Sequence, residues 1–140
     1  MSKKLDVIAE FDGGGGSNGN KKVYGVHIID AETKEQLHVA YGLLPNAQTY
    51  NQAEWTAAKV ALSICYLFKD DISSVIIRGD SQLVVYQLLG KYKCKTPQLI
   101  PYWSESKKIE EELLHSGVDV DYEWVRRESN ETADALGRLI

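Results

Sequence analysis

The feature that most restricts this chain is a change of hydrophobic period near residue 50. Before it, residues 5–12 (LDVIAEFD), 23–30 (VYGVHIID) and 36–44 (QLHVAYGLL) are short apolar stretches bounded by polar or glycine-rich sequence. Each reads as a strand. From Asn51 to Phe68 the period lengthens, and Ala58, Ala61, Cys65 and Phe68 fall on one stripe of a helix of about five turns. Three strands joined by short turns form an antiparallel meander with a face to bury. The helix that follows is its natural cover. The run Gly13-Gly14-Gly15-Gly16, continued by Ser17-Asn18-Gly19-Asn20, is expected to stop the first strand after Asp12.

Further along, residues 74–78 (SVIIR) form a short, nearly continuous apolar strand of the kind covered on both faces. Gln82–Leu89 reads as a helix, and residues 90–97 (GKYKCKTP) as a link with lysines at 91, 93 and 95. A longer helix is expected from near Leu99 to His115, burying Trp103, Ile109 and Leu113. Val118–Val125 is a fifth strand and Asn130–Leu139 a closing helix. The order β-β-β-α-β-α-α-β-α gives an α/β fold: a five-stranded mixed sheet with helices on both faces, in a single domain over residues 1–140.

At 140 residues and 44% apolar content, such a domain buries a core without disulfides. No apolar run approaches the ~20 residues of a membrane span. Asp6, Glu10 and Asp12 break up the stretch behind Lys3 and Lys4, which argues against a secretory leader. Cys65 and Cys94 have neither metal-ligand spacing nor a disulfide framework. A cytoplasmic protein with no membrane partner is therefore expected. The net charge of −4 counts mildly against nucleic acid, although a site built from carboxylates lowers the total by itself.

Four acids stand where a purely structural chain would use something else. Glu54 precedes Ala58, Ala61, Cys65 and Phe68 by 4, 7, 11 and 14 residues, so it shares the stripe that faces the sheet. A carboxylate there must be paired, bound to metal or close to the protein edge. Asp12 ends the first strand, Asp80 the fourth, and Asp134 lies in the last helix beside Ala133. Taken singly, these positions also suit a helix-dipole partner, an Asx turn and a helix cap. Taken together, they converge at the C-terminal ends of neighbouring strands, where α/β sheets place ligands. An oxygen-only cluster without histidine or cysteine favours Mg²⁺ or Mn²⁺ over zinc.

The segments 11–20 (FDGGGGSNGN), 49–62 (TYNQAEWTAAKVAL), 77–89 (IRGDSQLVVYQLL) and 124–136 (WVRRESNETADAL) resemble type 1 ribonuclease H, each around one of that family's four acids and in the family's order. The resemblance implies cleavage of the RNA strand of an RNA–DNA hybrid, leaving 5′-phosphate and 3′-hydroxyl ends. It implies that Asp12, Glu54, Asp80 and Asp134 hold two Mg²⁺ ions, with Mn²⁺ an acceptable substitute, one ion activating water and the other stabilising the leaving oxygen. It further places Gly13, Gly14, Gly15, Asn18, Thr49, Asn51 and Gln82 against the hybrid, where 2′-hydroxyls distinguish RNA from DNA. Lys91, Lys93, Lys95 and Arg127 are candidate phosphate contacts, and a monomer is expected.

Departures from the family pattern define a compact variant. The link after Leu89 is too short for the basic, tryptophan-bearing protrusion of many members. Residues 126–129 (RRES) fill a loop that carries a histidine in many relatives, and His27, His38 and His115 lie on other elements. Tyr50 stands where an asparagine is common. Two competing readings are another nuclease of the same fold, resolvase- or transposase-like, and a non-catalytic hybrid-binding module.

Overall fold

The structure, a computed structural model, describes residues 3–15, 21–47 and 49–139. Strands β1 (Leu5–Gly15), β2 (Lys22–Asp30) and β3 (Gln36–Leu43) precede helix α1 (Tyr50–Leu67). Strand β4 (Ile72–Gly79), helices α2 (Gln82–Leu88) and α3 (Ile100–His115), strand β5 (Asp119–Trp124) and helix α4 (Glu131–Gly137) follow. Single 3₁₀ turns lie at Lys69–Asp71 and Arg127–Ser129. The sheet order is β3-β2-β1-β4-β5. The first three strands pair antiparallel, and β4 and β5 join parallel beside β1.

Parity along β1 sorts the two faces. Val7, Ala9 and Phe11 pack with Trp55, Ala58, Ala61 and Leu62 of α1 in a core shielded from water. Gly13 follows on the same face, and a β-carbon there would lie 2.2 Å from the Ala53 carbonyl carbon. Ile8, Glu10 and Asp12 point the other way. Gly25, paired with Asp12 across the ladder, faces the Ala133 carbonyl of α4. Helices therefore cover both faces, α1 along most of one and α4 one end of the other.

Local chemistry fixes the ends of the elements. Thr49 Oγ1 accepts from the Gln52 N–H at 3.1 Å, and Gln52 Oε1 accepts from the Thr49 N–H at 3.0 Å. This reciprocal cap satisfies donors left open at the start of α1. Gly117, at φ +87°, makes the left-handed turn from α3 into β5.

Three expectations from the sequence are corrected. β1 does not stop at Asp12 but continues through Gly15, because β2 pairs with every residue from Val7 to Gly15. β4 is sealed on one face only: Ile72, Val75 and Ile77 are buried, whereas Ser74, Ile76 and Arg78 are half-buried opposite. Phe68 leaves the apolar stripe of α1. It is the residue that ends the helix, beyond the sheet's cover, and stays 46% exposed. In α3, Leu113 is fully buried, with Trp103 and Ile109 packed at the core's margin.

Candidate active site

Parallel pairing of β1 and β4 brings Asp80, just past the end of β4, beside Asp12 inside β1, since Phe11 is the register partner of Gly79. The Phe11 ring lies against Gly79 so tightly that a β-carbon would approach it to 2.4 Å. The main chain here is held from two further sides. Asn130 Nδ2 donates to the Phe11 carbonyl at 2.8 Å. The Val125 N–H donates to the Gly79 carbonyl at 2.9 Å, and Trp124 Nε1 to the Asp80 carbonyl at 3.2 Å. Both acids thus extend from backbone with little freedom to move. Glu54 arrives from α1, whose first turn closes onto β1 because Gly13 presents no side chain.

One carboxylate oxygen from each of Asp12, Glu54 and Asp80 lies within 4.8 Å of the others. Asp134 flanks this triad. It shares a hydrogen bond with Asp12, and its Oδ2 is 2.9 Å from Arg138 Nη2. Arg127 Nε, on a largely exposed side chain, stands 3.7 Å from Asp80 Oδ2.

The purely structural roles open to these acids are filled by other groups or do not arise. Ser81, not Asp80, caps α2, accepting from the Val84 N–H. Asp12 sits inside a paired strand, so it forms no turn. Glu54 Oε2 and Asp80 Oδ2 are buried without any hydrogen-bond partner. Buried acceptors are seldom left so, and hard oxygen donors in this arrangement fit a divalent cation.

The electrostatics agree. Burial, then the charge of Glu54 and contact with Asp134, push the Asp12 carboxyl up to about 10. Burial and the charge of Asp80 raise Glu54 to about 8, against the pull of the Gly13 N–H and of Asp12. Asp80 is also raised by burial, with Asp12 and Arg127 drawing it down. Like charges crowded out of water hold protons until a cation replaces them.

The remaining candidates divide. Thr49, Asn51 and Gln82 are exposed near the helix starts beside the triad. Gly13 serves the approach of α1, whereas a β-carbon on Gly14 would meet open space. Gly15 ends β1, and Asn18 and Gly16 lie outside the described residues. Lys91, Lys93 and Lys95 are exposed in the link after α2, and Lys91 Nζ lies 5.0 Å from the centre of the Tyr86 ring. Asn130 and Trp124 escaped the sequence reading as site residues. Asn130 reads as a helix cap, yet its side chain makes no cap and crosses to β1 instead.

Residues 10–139 match the family described as reverse transcriptase-like. The crystal structure of RNase H1 from Halobacterium salinarum superposes with a TM-score of 0.78 at 31% identity, covering 94% of this chain and 93% of that one. The chain belongs to the type 1 ribonuclease H family. A second member, LC11-RNase H1, solved in complex with an RNA/DNA hybrid, gives a TM-score of 0.81 at 30% identity over 93% of this chain and 92% of that one. A bifunctional protein of Mycobacterium tuberculosis is 28% identical over 132 residues, 94% of this chain but 34% of that protein. The chain spans about a third of the length of the mycobacterial curated relatives it matches.

Proposed function

We propose that this chain hydrolyses the RNA strand of RNA–DNA hybrids as an endonuclease, leaving 5′-phosphate and 3′-hydroxyl ends. The observation that carries the reading is the triad of half-buried Asp12, Glu54 and Asp80 with Asp134 alongside, in which Glu54 Oε2 and Asp80 Oδ2 are buried with no hydrogen-bond partner. The relative solved with an RNA/DNA hybrid supports the substrate. The four acids would hold two Mg²⁺ ions, which supply water activation and stabilisation of the leaving oxygen when bound.

The chain's own residues do the rest. Burial and crowding of like charge favour protons on the Asp12 and Glu54 carboxyls, which would give them up to a bound cation. Asn130, Val125 and Trp124 keep the Phe11–Asp12 and Gly79–Asp80 backbones from shifting as charge is exchanged. Thr49, Asn51, Gln82 and the open side of Gly14 form the surface offered to the hybrid, with Lys91, Lys93, Lys95 and Arg127 at phosphates. Among the described residues no helix is long and apolar enough to cross a membrane, and both cysteines are free. A monomer acting in the reducing cytoplasm is the setting this reading assumes.

The test is cleavage of an end-labelled hybrid in Mg²⁺ and in EDTA, beside duplex DNA, duplex RNA and a four-way junction. Cut RNA within the hybrid, only in Mg²⁺, is the expected result. Preference for the junction or for duplex DNA refutes the reading, as does metal-independent cleavage.

A further inference from the structure

We infer that Gln87 is a positioning residue: its amide ties the lysine-bearing link after α2 to Trp55, the neighbour of Glu54, and so fixes where the lysines stand relative to the acid triad. The inference rests on the proposed function, in which Lys91, Lys93 and Lys95 meet phosphates of the hybrid. Its first observation is a polar residue in an apolar place. Val84, Val85 and Leu88 form the buried face of α2, and Gln87 lies among them, 4% exposed. Buried amides are seldom kept without hydrogen bonds. Gln87 Oε1 accepts from Trp55 Nε1 at 3.0 Å, and Gln87 Nε2 donates to the Lys93 carbonyl in a long bond of 3.5 Å. Trp55 is itself fully buried in α1. One side chain thus touches both the helix that carries Glu54 and the backbone of the middle lysine.

The link is held on both sides of this bond. Gly90, at φ +82°, turns the chain out of α2. The Lys91 and Tyr92 N–H groups both donate to the Tyr86 carbonyl, at 2.9 and 3.1 Å. The rings of Tyr86 and Tyr92 meet edge to face with centres 5.1 Å apart. Cys94 packs against the core, while Lys93 and Lys95 on either side of it are exposed. Further on, Leu99 is buried, and Thr96 and Gln98 line a hollow together with Thr49 and Asn51 at the start of α1. The lysines therefore stand on backbone anchored to α2 behind them and to α1 ahead of them.

A loose link would lose backbone freedom when phosphates fix its lysines, and that loss subtracts from affinity. A link already ordered in the free protein avoids it. The same amide also relates two groups that lie far apart in sequence. A phosphate seated on Lys93 is held at a set distance from Glu54, and so from the bond to be cut. The plainer role for Gln87 is to satisfy the buried Trp55 N–H and nothing more. That role predicts a loss of stability when Gln87 is replaced, with the behaviour of the link unchanged.

The test is Gln87→Met, which keeps the length and bulk of the side chain and removes both hydrogen bonds. Binding to an RNA–DNA hybrid is followed by anisotropy in EDTA, where the hybrid stays intact, at several salt concentrations. Affinity at low salt should fall several-fold, and the slope of log affinity against log salt should become shallower by about one. Turnover in Mg²⁺ at saturating hybrid should stay close to wild type. Two glycines inserted between Gly90 and Lys91 loosen the link without touching the core and should give the same shallower slope. They carry the test if Gln87→Met does not melt cooperatively. A folded Gln87→Met with the wild-type slope overturns the inference and leaves the plainer role. So does a variant whose turnover falls while its slope is kept. Replacing all three lysines with alanine separates this failure from that of the reading beneath it. If the triple variant also keeps the wild-type slope, the lysine contacts of the proposed function fall, and this inference with them. If only the triple variant is shallower, this inference alone falls.

Discussion

Glu10 and Asp12 stand two residues apart on the same face of β1, and the chain treats them in opposite ways. Glu10 has a base on each side: His27 Nδ1 at 2.9 Å from its Oε1, and Arg78 Nη1 at 4.0 Å from its Oε2. Arg78 in turn meets Glu123 on β5, so a chain of paired polar side chains, His27, Glu10, Arg78 and Glu123, crosses four strands. At Asp12 the partner on β2 is Gly25, which offers no side chain and admits α4. The neighbours that reach Asp12 are Glu54, Asp80 and Asp134, all acids. One strand therefore carries a balanced buried charge and an unbalanced one. Balance of this kind knits strands together, whereas imbalance marks where an external cation belongs.

The sharpest way to break this contrast is to remove each charge and measure cleavage. Asp12→Asn and Asp80→Asn should each lose nearly all hybrid cleavage in Mg²⁺, while Glu10→Ala keeps turnover close to wild type. Retention of more than about a tenth of wild-type kcat, a barrier change under ~1.4 kcal/mol, would contradict the role of either aspartate. An equally inactive Glu10→Ala would erase the distinction.

The next effect is on metal affinity. With Asp12 raised to about 10 and Glu54 to about 8, loading at neutral pH displaces protons. Mg²⁺ affinity should climb steeply between pH 6 and 9, by up to about tenfold per pH unit for each proton released. Calorimetry in buffers of different ionisation enthalpy would show the release. An affinity flat across this range would mean that the acids are already ionised.

Stability gives a third, smaller contrast, with opposite signs for the two acids. Glu10→Ala leaves His27 and Arg78 without their shared partner and should cost about 2 kcal/mol, a fall of several degrees in Tm. Asp12→Asn keeps the shape but removes the cost of holding a carboxyl protonated at neutral pH, so in EDTA it should melt a few degrees higher than wild type. The pH sign follows from linkage. A carboxyl raised in the folded state binds more protons there than in the unfolded chain, so stability falls as pH rises from about 4 toward 8–10. Asp12→Asn should flatten that decline, and Mg²⁺ should stabilise the wild type more than the mutant. Melts of both variants across pH, with and without metal, decide it.

Much of this site could be read from sequence because its signals are local. Glu54 betrays itself by sharing a stripe with Ala58, Ala61 and Cys65, and the meeting of Asp12 with Asp80 follows from the order of elements, although Asp12 lies inside its strand and not at its end. What stayed hidden depends on register and close approach. The pairing of Glu10 with His27 exists only because β1 and β2 align residue 10 with 27. The glycine run reads as a loop, yet Gly13 continues a strand whose lack of a side chain lets α1 deliver Glu54. Asn130 resembles an ordinary helix start, and nothing local says that its amide crosses to Phe11. Phe68 keeps the helical period but lies where the sheet no longer covers α1, which periodicity does not register.

The smallest expected effect carries the same contrast to positive charge. Lys59 is paired with Glu105, and Lys107 with Glu110 at 2.9 Å. Among the described residues Lys91, Lys93 and Lys95 have no acidic partner, and only Lys91 is seated, over the Tyr86 ring. If uncompensated charge marks a ligand's place, these three meet phosphates, whereas the paired lysines serve the fold. Replacing all three with alanine should weaken hybrid binding and reduce the slope of log affinity against log salt by about one for each lysine that contacts a phosphate. Turnover at saturating substrate should scarcely change, since the acids are untouched. Lys59→Ala, by contrast, should leave the salt slope as it was and lower stability by less than ~1 kcal/mol, the usual value of an exposed pair. Filter binding or anisotropy at several salt concentrations measures both. A triple variant with the wild-type slope would show that unpaired lysines here are solvated link residues, and that only the acids follow the rule.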